Sequence, residues 1–179
     1  MSLRSAARRL SEDVIQATGL KRVKSGSGFE DNPNTEWLDR RGFWAFYALL
    51  LYCLRMAFGV GLEFLKIGDM YGWSMLHIVH TVITFPILHW SKGEPFWAPG
   101  GDQGEFDRLT FWEQIDHGRQ YTWTRKAFTL VPIVIFLFAS YSTNWQVRMM
   151  VIDFIFLLIA VIPKIGLMHR TRLFGINAE

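Results

Sequence analysis

The chain has 179 residues, 50% hydrophobic and 16% aromatic, with 15 Phe and 8 Trp against only 20% charged side chains. That length suits one domain, and the apolar content with a single cysteine, Cys53, excludes a largely disordered chain and a disulfide-stapled secreted fold. The net charge of +3 and pI near 9.2 are not gathered into a basic stripe or recognition motif, so no nucleic-acid partner is expected.

Residues 1–42 are polar, with eight Lys/Arg, six Asp/Glu and five Ser, and include Ser25-Gly26-Ser27-Gly28. This composition predicts a flexible, basic, Ser-rich cytosolic tail over residues 1–30. Arg4, Arg8 and Arg9 resemble a transit peptide, but Glu12 and Asp13 break that pattern and no apolar h-region precedes a cleavage site, so no cleavable signal is expected. Upstream basic residues place Ser11 and Ser25 in contexts a basophilic kinase accepts. Phosphate there would add about 1.5 to 2 negative charges beside an anionic membrane surface and weaken the tail's attraction to it. The plain alternative is a solvated tail.

Residues 31–179 read as an all-α, polytopic membrane domain of four transmembrane helices. The first apolar run, Phe43 to Leu62, is 20 residues with one charge, Arg55, long enough for a bilayer core of about 30 Å. The second, residues 70–90, is less apolar: it carries His77, His80 and His89, and Pro86 predicts a kink. Residues 91–126 form a polar connection in which a short surface helix is expected between 109 and 122. The third and fourth spans, 127–143 and 147–163, have apolar stretches of only about 15 residues. A hairpin crossing a locally thinned bilayer accommodates them, and a re-entrant pair is the alternative.

Four spans put the tail, the 91–126 connection and the C-terminus on one side with 16 Lys/Arg, and leave only Lys66 and Arg148 on the other. The positive-inside bias makes both termini cytosolic. Trp44, Trp73, Trp90, Trp123 and Trp145 fall near run ends, where amphipathic rings favour the headgroup region.

Arg55 and Asp153 are the two charges placed inside apolar runs. Counting helical rise puts both roughly 10 Å from the same interface, so a structural intramembrane pair is expected; an ion or proton pathway would need a longer relay. His77 and His80 share a helix face while His89 is half a turn out of phase, and no carboxylate joins them in sequence, so they read as packing histidines rather than a metal or haem site. No cofactor is expected. Cys53 reads as core, and Glu105, Asp107, Glu113 and Asp116 as solvated. No nucleotide loop, nucleophile elbow or catalytic carboxylate pair is present, which argues against an enzyme.

Several blocks then match together. Asn32-Pro33-Asn34-Thr35 followed by Arg41-Gly42-Phe43-Trp44, His89-Trp90-Ser91-Lys92-Gly93-Glu94-Pro95-Phe96, Leu109-Thr110-Phe111-Trp112-Glu113-Gln114-Ile115-Asp116, Arg125-Lys126, and Pro163-Lys164 with His169 to Asn177 resemble the Orm/ORMDL family over residues 31–177. The resemblance implies a four-span, multi-pass endoplasmic reticulum protein that is not an enzyme. It implies binding to the catalytic and small subunits of serine palmitoyltransferase, which the chain would restrain when ceramide is plentiful, giving feedback control of sphingolipid synthesis among membrane lipids. Asn34, with Asn32 and Pro33 shaping the backbone, would be the ceramide-binding site, an amide offering donor and acceptor at the interface. An Asx or Pro turn before the first helix is the bland reading of the same residues. The rival function is a small intramembrane His-containing enzyme or ion carrier using His77, His80, Arg55 and Asp153.

Overall fold

A computed structural model describes residues 32, 34–93 and 106–171. Ser11, Ser25 and Pro33 lie outside the described residues, as does the rest of the predicted tail. Residues 31–179 form one compact unit, and among the described residues every regular element is helical, with a single antiparallel bridge between Lys92 and Thr110.

Each apolar run carries a helix. The first is α1, Phe43–Phe64, entered through a short turn at Glu36–Asp39. The second begins with a turn at Asp69–Tyr71 and forms α2, Gly72–Phe85, which widens into a π turn at Pro86–Trp90. Pro86 has no N–H to continue the α-helical ladder, and Ser91 N–H reaches back to the Pro86 carbonyl at 2.8 Å. The expected kink is thus a local widening. A short α3, Phe111–Gln114, precedes α4, Trp123–Ser142, and α5, Val147–Val161.

Two sequence expectations change here. α4 starts at Trp123 because Thr122 caps it, its side chain accepting from Arg125 N–H, so the helix is 20 residues long and its polar first turn extends the short apolar run. The connection's short helix is not on the surface: Phe111, Trp112, Glu113 and Gln114 are all buried. Among the described residues two helices, α1 and α4, are long and apolar enough to cross a membrane.

α2 is the centre of the bundle, packing against α1, α4 and α5, while α4 and α5 pack on each other. Its buried face is polar, with Ser74, His77, His80 and Thr81 inside. Outside, Leu49, Val60, Phe64, Val82, Leu137, Phe154 and Ile155 are exposed. That inversion of the usual inside-apolar rule would aggregate in water and suits a hydrocarbon surrounding, where helices associate through small and polar contacts. Cys53 is on this outer face, exposed rather than in the core, because hydropathy along the chain does not say which face of a helix meets its neighbours.

Arg55 does not pair with Asp153. Its guanidinium makes a bidentate bridge to Asp69, at 2.7 and 3.0 Å, and lies over Trp73 with 5.4 Å from its central carbon to the ring centroid. Asp69 belongs to the turn between α1 and α2, and the arginine holds its carboxyl below the ordinary carboxylate range, chiefly by hydrogen bonding. Gly72 makes room for this side chain, since a Cβ there would come within 2.8 Å of Arg55 Nη1. Asp153 on α5 turns instead toward α2: Ser74 Oγ donates to its Oδ2 at 2.7 Å, and His77 Nδ1 lies 3.2 Å from Oδ1. The depth argument failed because it counted only charges inside apolar runs and so passed over Asp69.

Candidate functional site

Described residues of the quoted blocks, among them Asn34, Phe43, His89, Trp112, Arg125 and Lys164, meet at one end of the bundle, beside the start of α1. There Leu38, Leu88, Phe111, Trp112, Ile115 and Phe128 form the apolar core, with Trp37, Phe43, Trp44 and Tyr47 packed against it. Ring pairs at 5.0 to 6.3 Å between centroids link Phe43, Trp44 and Tyr47 to one another and to Phe128 of α4. Aromatic packing of this kind gives a stiff platform with little side-chain entropy left to lose.

On that platform sits a cluster of three side-chain amides. The Asn32 carbonyl accepts from the N–H groups of Thr35 and Glu36, and its Oδ1 accepts from Asn34 N–H at 2.9 Å, an Asx-type turn. Both asparagines then donate from Nδ2 to a single acceptor, Gln114 Oε1, at 3.1 Å from Asn32 and 3.0 Å from Asn34. Gln114 Nε2 donates to the Gly93 carbonyl at 2.7 Å and to that of Leu109 at 3.2 Å, and Asn34 Nδ2 also reaches the Gly93 carbonyl at 3.4 Å. Trp37 Nε1 closes the set on the Asn34 carbonyl at 2.7 Å. Asn34 is 7% exposed and Gln114 2%, so the cluster is nearly sealed.

Gln114 is positioned by its helix. Thr110 and Glu113 form a reciprocal capping box, with Thr110 N–H donating to Glu113 Oε2 at 2.8 Å. Glu113 is therefore a buried cap, not the solvated acid expected from its polar neighbourhood. At the other end of α3, Arg125 Nη2 donates to the Trp112 and Ile115 carbonyls at 2.8 and 3.3 Å, a cation meeting the helix's negative end. The Arg125 guanidinium and the Lys164 ammonium both lie over the Trp112 ring, 5.1 and 5.8 Å from its centroid. Lys164 also donates to the Ala160 carbonyl, and burial pushes its ammonium down to about 8. Gly93 stands at φ +65, with Asp107 2.9 Å from where a Cβ would be, so the strand-like contact with 109–111 requires glycine.

Of the residues singled out from sequence, Asn32 and Asn34 come together, and Arg55 and Asp153 are separated into two other sites. Sequence reasoning missed Gln114 as the hub, although the Thr110-Phe111-Trp112-Glu113 capping signature that aims it was legible. The other polar cluster, Ser74, His77 and Asp153, is 0 to 1% exposed. Ser74 bonds the carboxylate directly, so the imidazole is not interposed between hydroxyl and carboxylate as activation of a serine requires. His80 is held separately, with Nε2 2.7 Å from Tyr47 Oη. Among the described residues no three His, Cys, Asp or Glu side chains converge as a metal site.

An all-helical bundle with a polar interior, an apolar exterior and an amide cluster beneath aromatic packing describes a small protein of membrane character. The chain belongs to the ORMDL family, matching it over residues 32–172. It is 38% identical over 148 residues to "ORM1-like protein 2" of Homo sapiens and 37% identical to "ORM1-like protein 1" of Danio rerio, each alignment covering 83% of this chain and 94% of the relative. An uncharacterized protein of Schizosaccharomyces pombe is 30% identical over 175 residues, covering 97% of this chain and 91% of that one.

Proposed function

We propose that the chain is a non-catalytic regulatory subunit that binds the catalytic and small subunits of serine palmitoyltransferase and restrains the enzyme in response to ceramide. It would reside in the endoplasmic reticulum membrane as a four-span protein with both termini in the cytosol. The topology is supported by the excess of Lys/Arg on the side shared by the tail, the connection and the C-terminus, and by α2 and α5 packing with the two longer helices into one bundle.

The observation that carries the ligand reading is the amide cluster. Asn34 is held with its side-chain nitrogen on Gln114 and Gly93, at the foot of α1, where a lipid's polar end would lie. Ceramide presents an amide and hydroxyls, which are both donors and acceptors, and so exchanges for Gln114 as a partner without leaving a buried polar atom unmatched. To act as a signal, the lipid must bind the inhibited assembly better than the active one. Ser11 and Ser25 would adjust this restraint by phosphorylation of the tail.

Co-purifying the chain with its synthase and titrating ceramide tests this reading. Inhibition that grows with ceramide only when the chain is present supports a sensing subunit, and a stable assembly indifferent to ceramide leaves an adaptor.

A further inference from the structure

A single helical turn has little stability of its own, so the contacts that hold α3 decide where Gln114 points. The capping box fixes its first end and Arg125 its last. Between them the Trp112 ring is held by two cations from different parts of the chain. One is Arg125, in the first turn of α4, and the other is Lys164, in the turn Ile162–Lys164 that follows α5. Lys164 is buried, and its Nζ donates to the Ala160 carbonyl at the end of α5. This contact ties the last helix of the bundle to the short helix that carries the acceptor for Asn34. The other titratable groups that feel these cations are His89 of the π turn, whose ring lies 5.3 Å from Trp112, Glu113 in the capping box, Asp116 beyond α3, and His80 on α2. On its own segment the nearest in sequence is His169.

We propose that the Lys164 ammonium on Trp112 is a latch that sets how much ceramide is needed to displace Gln114 from Asn34. The inference rests on the ceramide reading, in which lipid and Gln114 compete for the same asparagine amide. An ammonium is drawn to the negative face of an indole, whereas a neutral amine has no net charge to offer it. With the charge in place α3 is held down, and the bond from Asn34 to Gln114 is harder to exchange. Without it α3 is looser, and the lipid competes at lower concentration. Burial pushes the Lys164 ammonium down to about 8, so the charge is present at pH 7 and largely gone by pH 9. Lys164 acts through Trp112 and Gln114 and is a positioning residue.

The test titrates ceramide into the assembly of the full chain with its synthase at pH 7 and at pH 9, with activity expressed relative to the ceramide-free assembly at the same pH. The assemblies carry the intact chain, Lys164→Met or Lys164→Arg. For the intact chain the half-inhibiting ceramide concentration should fall by about threefold to thirtyfold between the two pH values, the range of a cation–π contact. Lys164→Met should show the lower value at both. Lys164→Arg stays charged throughout and should show no fall. Should Lys164→Met not fold, Trp112→Phe, a weaker partner for the cation, must lower the half-inhibiting concentration at pH 7. A double-mutant cycle on the melting temperature of the chain in detergent should also find Lys164→Met coupled to Gln114→Ala. A ceramide response that is the same for the intact chain and Lys164→Met at pH 7, a fall that persists in Lys164→Arg, or additive effects in the cycle overturns the latch alone. An intact chain that confers no ceramide inhibition at either pH overturns the ceramide reading and the latch with it.

Discussion

Gln114 Oε1 accepts a hydrogen bond from Asn34 Nδ2 at 3.0 Å, joining residues 80 positions apart. This bond fastens the segment before α1 to the connection between α2 and α4, and it makes the stability of the connection inseparable from the geometry of the candidate ligand site. Gln114→Ala would leave the amides of Asn32 and Asn34 without that acceptor. It should destabilise the chain by about 1–3 kcal/mol for each buried group left unmatched, read as a lower melting temperature in detergent. Asn34→Ala removes one donor and should cost less, so equal losses for the two variants would contradict a Gln114 hub.

The Arg55 bridge predicts a specific pattern of coupling. A double-mutant cycle on thermal stability should find an interaction energy between Arg55 and Asp69 and none between Arg55 and Asp153. Gly72→Ala should lower stability by pushing a methyl into the guanidinium. The pH dependence has a definite sign: the Asp69 carboxyl is lowered from 3.8 on folding, so its contribution is complete above that value and is lost as pH falls through the folded one.

Asp153 should be sensitive to truncation and tolerant of an amide. Asp153→Ala leaves Ser74 and His77 facing an empty acceptor position inside the bundle, at a cost of about 1–3 kcal/mol for each buried group left unmatched. Asp153→Asn keeps an oxygen for Ser74 and should be considerably milder. Urea or thermal unfolding of the two purified variants checks the order, and a reversed order would remove the carboxylate from helix packing.

Much of the helical layout was legible, and the pairings were not, for identifiable reasons. Hydropathy located four runs, and each holds a helix, because an apolar stretch can satisfy its backbone only internally when it is buried in lipid or protein. The same averaging hid the start of α4, since Trp123-Thr124-Arg125-Lys126 is polar yet helical. Glu113 looked solvated because it lies on a polar connection with other acids such as Glu105, Asp107 and Asp116, whereas the packing of Trp112 under Arg125 and Lys164 holds α3 in the core. Asn32 and Asn34 were marked through the family resemblance; nothing local in either sequence segment announces that Gln114 lies between them.

Lys164 gives a second pH signature, on the alkaline side. Its ammonium is near 8 in the folded chain against an ordinary 10.5, so between those values the unfolded chain binds more protons. Stability should therefore rise as pH goes from about 8 to about 10.5, and be flat with respect to this group below that window. Lys164→Met should abolish the rise, measured as melting temperature against pH; an unchanged slope would mean that another group is responsible.

The most direct measurement is serine palmitoyltransferase activity against ceramide concentration, in assemblies carrying either the intact chain or Asn34→Ala. The account predicts ceramide-dependent inhibition with the intact chain, and with Asn34→Ala a weaker response at equal assembly, shifted to higher ceramide by about tenfold, as loss of a buried hydrogen bond to the ligand implies. Identical ceramide curves for the two assemblies would contradict it and take Asn34 out of the mechanism.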